Sequence, residues 1–392
     1  LALLRELREQ ALELNVIHVS ASMSSCVRSG PWQKALQLLA DGRTRALRVD
    51  IVACSAAVSA CEEGQHWQLA EQALRAMQRE RVPPNVVTYG AAISSCETAG
   101  HAEFALAWLD EMWRIRLVPN EIAYNAAISA CEKGRCWEEA MLLFHSMRSK
   151  RVEPDLVSCN AAISACEKGK EWRQALSVLD VVFHCGFEPA TITYNAACSA
   201  CEKGLTWTAA ACLLADVRRS RTLCSEVTCN AAISACSKAG LWRWAVHLLQ
   251  EMQGMSLQAS AVTFSAIVNG ACDEGAPLGQ VLLLMGQMQK SHVHPDSIAY
   301  AAAVRTCSVH GQWVEALDLL EKMLAGQLAP DPLVFGDAVG ACELQGRRCE
   351  ALGLLAGMGQ SLSSSLRGLG RAPGEGGRGH RRAEGRLAAG GA

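Results

Sequence analysis

No transmembrane helix and no familiar nucleotide-dependent active site can be read in this chain. No apolar run approaches the roughly 18 residues that would cross a bilayer. There is no phosphate-cradling G-x-x-x-x-G-K-[ST] loop, no G-x-G-x-x-G after a strand and no G-x-S-x-G nucleophile elbow. The H-x-E and C-x-x-C signature of a zinc deaminase is missing as well. Cys198-Ser-Ala-Cys201 is formally a C-x-x-C, but no second such pair completes a four-ligand zinc site. His292 and His294 precede Pro295 in a loop and read as solvated. No cofactor, metal or catalytic residue is implied. Strong positive charge is lacking too: 37 Lys and Arg stand against 39 Asp and Glu, a net of −2. Residues 361–392 hold six Arg and two acids, so the body of the chain is near −6. Such a balance is unlike that of a strongly basic nucleic-acid-binding domain.

Cysteine, by contrast, is plentiful, with 19 in 392 residues. Its placement is regular. Cys26, Cys61, Cys96, Cys131, Cys166, Cys201 and Cys236 fall 35 residues apart, and Cys307 and Cys342 resume the beat. A fixed period of this size means a stack of small similar units rather than a globular enzyme. Equivalent helices in adjacent units lie about 8–10 Å apart, beyond the ~7 Å Cα separation that a disulfide can bridge. The repeated thiols therefore read as small buried hydrophobes in a reducing compartment.

With each unit closed at Pro-Asp or its equivalent, the units are 16–50, 51–85, 86–120, 121–155, 156–190, 191–225, 226–260, 261–296, 297–331 and an incomplete 332–360. Residues 1–15 fit the second half of a preceding unit. The chain starts with Leu1, so the array reads as cut at its N-terminus, with any presequence outside it. Each unit reads as two helices. In unit 121–155, Tyr124, Ile128 and Cys131 share one helical face, and Gly134 is expected to end that helix by taking positive φ. A second helix begins near Trp137 and carries Ala140, Phe144 and Met147 on one face; Pro154 closes the unit. Trp32, Trp67, Trp172, Trp207, Trp242 and Trp313 recur at the site of Trp137 and read as packing. A hairpin of two helices cannot bury both its stripes alone. The expected fold is all-α, a right-handed solenoid superhelix of two-helix, 35-residue repeats. Residues 361–392 are Gly-, Arg- and Ser-rich and aperiodic, and are expected to be disordered.

The side of the first helix opposite the Tyr-Ile-Cys stripe is patterned as well. Repeat position 2 is Ile17, Val52, Val87, Ile122, Val157, Ile192, Val227, Val262 and Ile298, β-branched in all nine full units. Positions 6 and 9 are small. Position 13 is basic in Arg28, Lys133, Lys168, Lys203 and Lys238. Apolar wedges, a small floor and cations together suit flat bases and their phosphates. Packing of position 2 against the next hairpin explains the same pattern, and the pattern alone leaves the two open.

The unit E-I-A-Y-N-A-A-I-S-A-C-E-K-G-R-C-W-E-E-A-M-L-L-F-H-S-M-R-S-K-R-V-E-P-D resembles the pentatricopeptide repeat of RNA-binding organelle proteins of plants and algae, in a P-class-like form. The Tyr-Asn start, Ala at position 20, Met at position 27 and closing Pro-Asp all agree over residues 1–360. The resemblance implies one nucleotide per unit. Position 2 would sandwich the base, position 13 would meet phosphate, and position 5 with the last residue would read the base edge. The implied reading pairs are Ser20/Asp50, Ser55/Asn85, Gly90/Asn120, Asn125/Asp155, Asn160/Ala190, Asn195/Ser225, Asn230/Ser260, Ser265/Asp296 and Ala301/Asp331. The family's preferences turn these into 5′-GAAUNCCGG-3′, with the Ala190 unit undefined. The implied protein is a monomeric, non-catalytic binder of single-stranded RNA in the chloroplast, or alternatively the mitochondrion, acting on RNA processing, stability, editing or translation and acting alongside other processing proteins. A helical-repeat scaffold for protein–protein interaction is the alternative.

Overall fold

The computed structural model describes residues 21–23, 32–44, 50–64, 66–219, 224–255 and 257–347. Ile17, Ser20, Arg28, the partial unit 1–15 and the segment 361–392 lie outside the described residues.

Every regular element among the described residues is helical. First helices occupy Ile51–Glu63, Val86–Ala99, Glu121–Gly134, Leu156–Gly169, Thr191–Lys203, Glu226–Lys238, Ala261–Asp273, Ser297–Val309 and Pro332–Leu344. Second helices occupy Trp32–Thr44, Trp67–Arg79, Ala102–Arg114, Trp137–Ser149, Trp172–His184, Trp207–Arg219, Trp242–Gly254, Leu278–Lys290 and Trp313–Ala325. The repeat register and the two-helix unit agree with the expectation. None of these helices is long and apolar enough to cross a membrane.

Two compact bodies divide the chain, one running to Ala271 and one from Cys272. In the first body the first helices from Ile51–Glu63 to Glu226–Lys238 each pack against their own second helix, and successive ones pack against each other. The core is correspondingly two-sided. Tyr124, Ile128 and Cys131 are fully buried, as their spacing predicts, and so are Ala123, Ala127 and Ala130. Position 6, expected on the opposite side as part of an open floor, is buried in Ala56, Ala91, Ala126, Ala161, Ala196 and Ala231. The reason is steric: first helices lying side by side need small residues on both flanks. In the second body, Ser297–Val309 packs in the same way against Trp313–Ala325 and Pro332–Leu344.

Gly134 does not end its helix by positive φ. The helix includes it, and Arg135 takes the left-handed conformation at φ 60°. Lys170 does the same at φ 64°. Gly134 answers a demand for space: a Cβ there would sit 2.8 Å from the Gly100 carbonyl oxygen. The equivalent Gly64 and Gly204 are pressed by the indoles of Trp32 and Trp172 from the preceding repeats. The recurrent Trp thus meets recurrent Gly across the repeat boundary, and it is half-buried there rather than enclosed in a core. Trp32 and Trp67 also meet His66 and His101 in tilted ring contacts, at centroid distances of 4.4 and 4.5 Å. Among the described residues the repeat cysteines are buried free thiols, while Cys26 lies outside them. Burial pushes Cys61 up to about 11 and Cys131 up to about 12.

Candidate nucleic-acid interface

The structure places position 2 at the surface. Val52, Val87, Ile122, Val157, Ile192, Val227, Val262 and Ile298 are 52–69% exposed. Full burial, which packing against the next hairpin would give, is not what they show. Large β-branched residues held in water at one position of eight successive repeats are a built surface.

The last residue of each unit starts the next unit's first helix. Asp50, Asn85, Asn120, Asp155, Ser225, Ser260 and Asp296 accept from the backbone N–H of residues 53, 88, 123, 158, 228, 263 and 299, at 2.8–3.4 Å. These are helix N-caps, satisfying one of the orphan donors of the first turn. The sequence reading gave these residues only a recognition role. The cap was legible in the Asp, Asn or Ser placed immediately before each apolar-periodic helix. Capping also sets the polarity that a base would meet. Asn85 commits Oδ1 to the Thr88 N–H and hydroxyl, which turns Nδ2 to other partners. Asp155 closes a reciprocal capping box with Ser158. Ala190 and Asp331 make no side-chain cap.

Position 5 lies within hydrogen-bonding reach of these caps. Asn125 Nδ2 donates to both carboxylate oxygens of Asp155, at 3.0 and 3.1 Å. Ser225 donates its hydroxyl to Asn195 Oδ1. The implied reading pairs of units 4 and 6 are therefore brought together. A third participant was missed. Position 3 of the following unit is Thr in four cases, and each hydroxyl bonds the preceding position 5. Thr193 meets Asn160 Oδ1 at 2.7 Å, Thr263 meets Asn230 Oδ1 at 2.6 Å, Thr228 meets Asn195 Oδ1, and Thr88 meets Ser55 Oγ at 2.8 Å. The recurrence of Thr at this position was the available signal. Units 4 and 5 are opposites in consequence. Asn160 has its carbonyl pinned by Thr193, whereas Asn125 Oδ1 is buried with no partner.

Gly90 and Ala301 cannot make such a link. Gly90 and Ala301 have no side-chain polar group, and Ser265 Oγ donates to the Ala261 carbonyl at 2.7 Å.

The position-13 cations are already engaged. Lys133, Lys168, Lys203 and Lys238 pair with Glu97, Glu132, Glu167 and Glu202 of the preceding repeats at 2.8–3.2 Å. This ladder was legible in the Glu-Lys dipeptides, whose period places Glu of one unit beside Lys of the next. The ion pairs are partly exposed, so each contributes about 0–1 kcal/mol to stability. Any phosphate would have to compete with a carboxylate. Among the described residues no cluster of His, Cys, Asp and Glu could hold a metal ion.

Tandem two-helix repeats, each exposing a Val or Ile at position 2 of its first helix, define an α-helical repeat protein. The PPR repeat family matches residues 119–166 and 225–273, the pentatricopeptide repeat domain residues 37–97, and the PPR repeat residues 87–117 and 298–326. The chain belongs to the pentatricopeptide repeat family. No curated protein matches it significantly. Among solved structures, PPR10 in complex with an 18-nt psaJ RNA element is 19% identical, with a TM-score of 0.46, over 88% of this chain and 53% of that one. PPR10 from maize is 16% identical with a TM-score of 0.41, over 92% and 70%. Yeast Rmd9p in complex with a 16-nt target RNA is 10% identical with a TM-score of 0.36, over 91% and 90%. The chain thus spans about half the length of the RNA-bound PPR10 chain.

Proposed function

We propose that this chain binds single-stranded RNA with one base per repeat, without catalysing a reaction on it. The observation that carries the reading is the row of eight exposed Val and Ile side chains at position 2. Each sits three residues before position 5, and at Ser55, Asn125, Asn160, Asn195 and Asn230 that side chain bonds the cap residue or the Thr at the start of the next first helix. A base between two successive wedges would bury apolar surface on both faces and present its edge to the reader pair. The fixed polarity of the caps supports selectivity. Asn at the last position has its carbonyl committed and offers a donor, whereas Asp offers only acceptors. A mismatch leaves a buried polar group unpaired, at a cost of about 1–3 kcal/mol. That is sufficient to choose one base. Family membership supports RNA as the ligand, and the site of action we propose is the chloroplast or mitochondrion. Occupancy is the mechanism: the bound segment is shielded, or held unpaired for other factors.

A protein-binding scaffold is the second reading, favoured by the Lys–Glu ladder, which neutralises the cation row. Titration of 5′-GAAUNCCGG-3′ and of a shuffled control across a salt series separates the two. RNA binding predicts preference for the first sequence. Its affinity should fall with salt by less than the roughly 0.7 log units per phosphate expected for free cations, because the glutamates already pair with the lysines. Equal or absent binding of both RNAs supports the scaffold.

A further inference from the structure

We infer that Cys224 and Cys229 form an oxidisable dithiol, a covalent counterpart of the contact that opens a first helix. The placement follows from the repeat. Ser225 caps the helix Glu226–Lys238, so Cys224 precedes the cap and Cys229 is the fourth helical residue. Side chains at these two positions pack together as a hydrophobic staple. In several other repeats the staple positions are Pro and an aromatic, as in Pro119 with Tyr124 and Pro189 with Tyr194, all of them buried. At this junction both are cysteine, and their sulfurs stand 3.2 Å apart. Other repeats place only one cysteine here: Cys159 faces Pro154 and Cys54 follows Val49. The geometry that makes a staple therefore aligns two thiols.

The two differ in ways that assign their roles. Cys224 is half-buried and Cys229 buried. The hydrogen bond from Cys229, with the charge of Arg218 nearby, lowers the Cys224 thiol to about 7. The same hydrogen bond and burial raise Cys229. Cys224 is thus the attacking thiolate and Cys229 the resolving thiol. With hydrogen peroxide as oxidant, the Cys224 sulfur attacks one oxygen, the O–O bond breaks and hydroxide leaves, giving a sulfenic acid. The Cys229 sulfur then attacks that sulfur. The S–O bond breaks, and the departing hydroxide takes the Cys229 proton as water. Two thiols lose two electrons, and the peroxide is reduced to two waters. The closed loop encloses Ser225, whose hydroxyl bonds Asn195, so the modification brackets one of the polar pairs.

The test uses the full chain under native conditions, with peroxide followed by alkylation, trypsin and cleavage after glutamate. Cleavage at Glu226 separates the two cysteines into peptides 222–226 and 227–238. The expected product is these two peptides joined through Cys224 and Cys229, with fragmentation placing the link on Cys229 rather than on Cys236 of the same peptide, released by dithiothreitol and formed before the exposed Cys185 and Cys212 are consumed. Cys224→Ser should abolish it. Cys224→Pro, which installs the residue found at the equivalent site of other repeats, should abolish it with the fold retained. A Cys224 link to Cys198 or Cys236, or sulfinic acid at Cys224 without a link, would overturn the inference. So would prior loss of Cys185 and Cys212. The result does not depend on whether the chain binds RNA.

Discussion

Replacing Ile122 by alanine separates a binding wedge from a packing residue. Ile122 is 64% exposed, so roughly a third of its side chain is buried in the free protein. Three carbons at about 0.8 kcal/mol each, scaled by that third, give a folding loss of about 0.8 kcal/mol. The better helix propensity of alanine offsets part of this, by at most about 0.7 kcal/mol. Net stability should hardly change. By comparison, Ile128 is fully buried, and Ile128→Ala should cost about 2–5 kcal/mol. On RNA the remaining two-thirds of the Ile122 side chain would be covered by bases, a contribution of about 1.6 kcal/mol. Ile122→Ala should therefore weaken binding about tenfold to twentyfold while the thermal midpoint stays within a degree or two. Fluorescence anisotropy with a labelled nine-nucleotide RNA, alongside thermal denaturation of the same preparation, reads both quantities. A stability loss above about 2 kcal/mol with unchanged affinity would refute the wedge and make position 2 a packing site.

Three further outcomes follow from the geometry. Thr263→Val removes the hydroxyl that pins Asn230 and should erase the preference for C at the seventh nucleotide, with Thr263→Ser restoring it; retained preference in the valine variant would dismiss the positioning role. Gly204→Ala puts a Cβ against the Trp172 indole and should destabilise by about 1–3 kcal/mol through overpacking, measured by urea denaturation; an unchanged midpoint would show that the indole yields. The third is alkaline sensitivity. Cys61, Cys159 and Cys201 are pushed up to about 11, and Cys96, Cys131, Cys166 and Cys307 to about 12. An unfolded thiol titrates near 9, so between pH 9 and 12 the folded state holds more protons than the unfolded one. Stability is then full below pH 9 and falls steeply above it. A flat denaturation midpoint from pH 8 to 11 would contradict burial of this ladder.

The fold was legible because a repeat reports the same physics many times. The Tyr-Ile-Cys stripe predicted one buried face, and Trp137 marked the start of the second helix. The small residues at position 6 were misjudged because a single helix viewed alone has an outside, whereas in an array its flank is another helix. Gly134 misled for a similar reason: its cause is the neighbouring Gly100 backbone, which no local turn rule contains. At the site, the position-2 row was visible as a pattern, but its exposure required the packed structure. Reader pairs such as Asn125 with Asp155 came from family resemblance. The cap bonds, three residues long, were within reach of the sequence, whereas the contacts of position 5 with the cap and with Thr join residues 30–33 positions apart and needed coordinates. The Lys–Glu ladder was within reach of the sequence, had the dipeptides been compared across units rather than within one.

The reading of bases by position 5 is tested most directly at Asn125. Removing its amide also removes the unpartnered buried Oδ1, so the fold should tolerate serine there. With four RNAs that differ only at the fourth nucleotide, the protein should prefer U, and Asn125→Ser should prefer G. An identical ranking in the two proteins would contradict base reading by this surface.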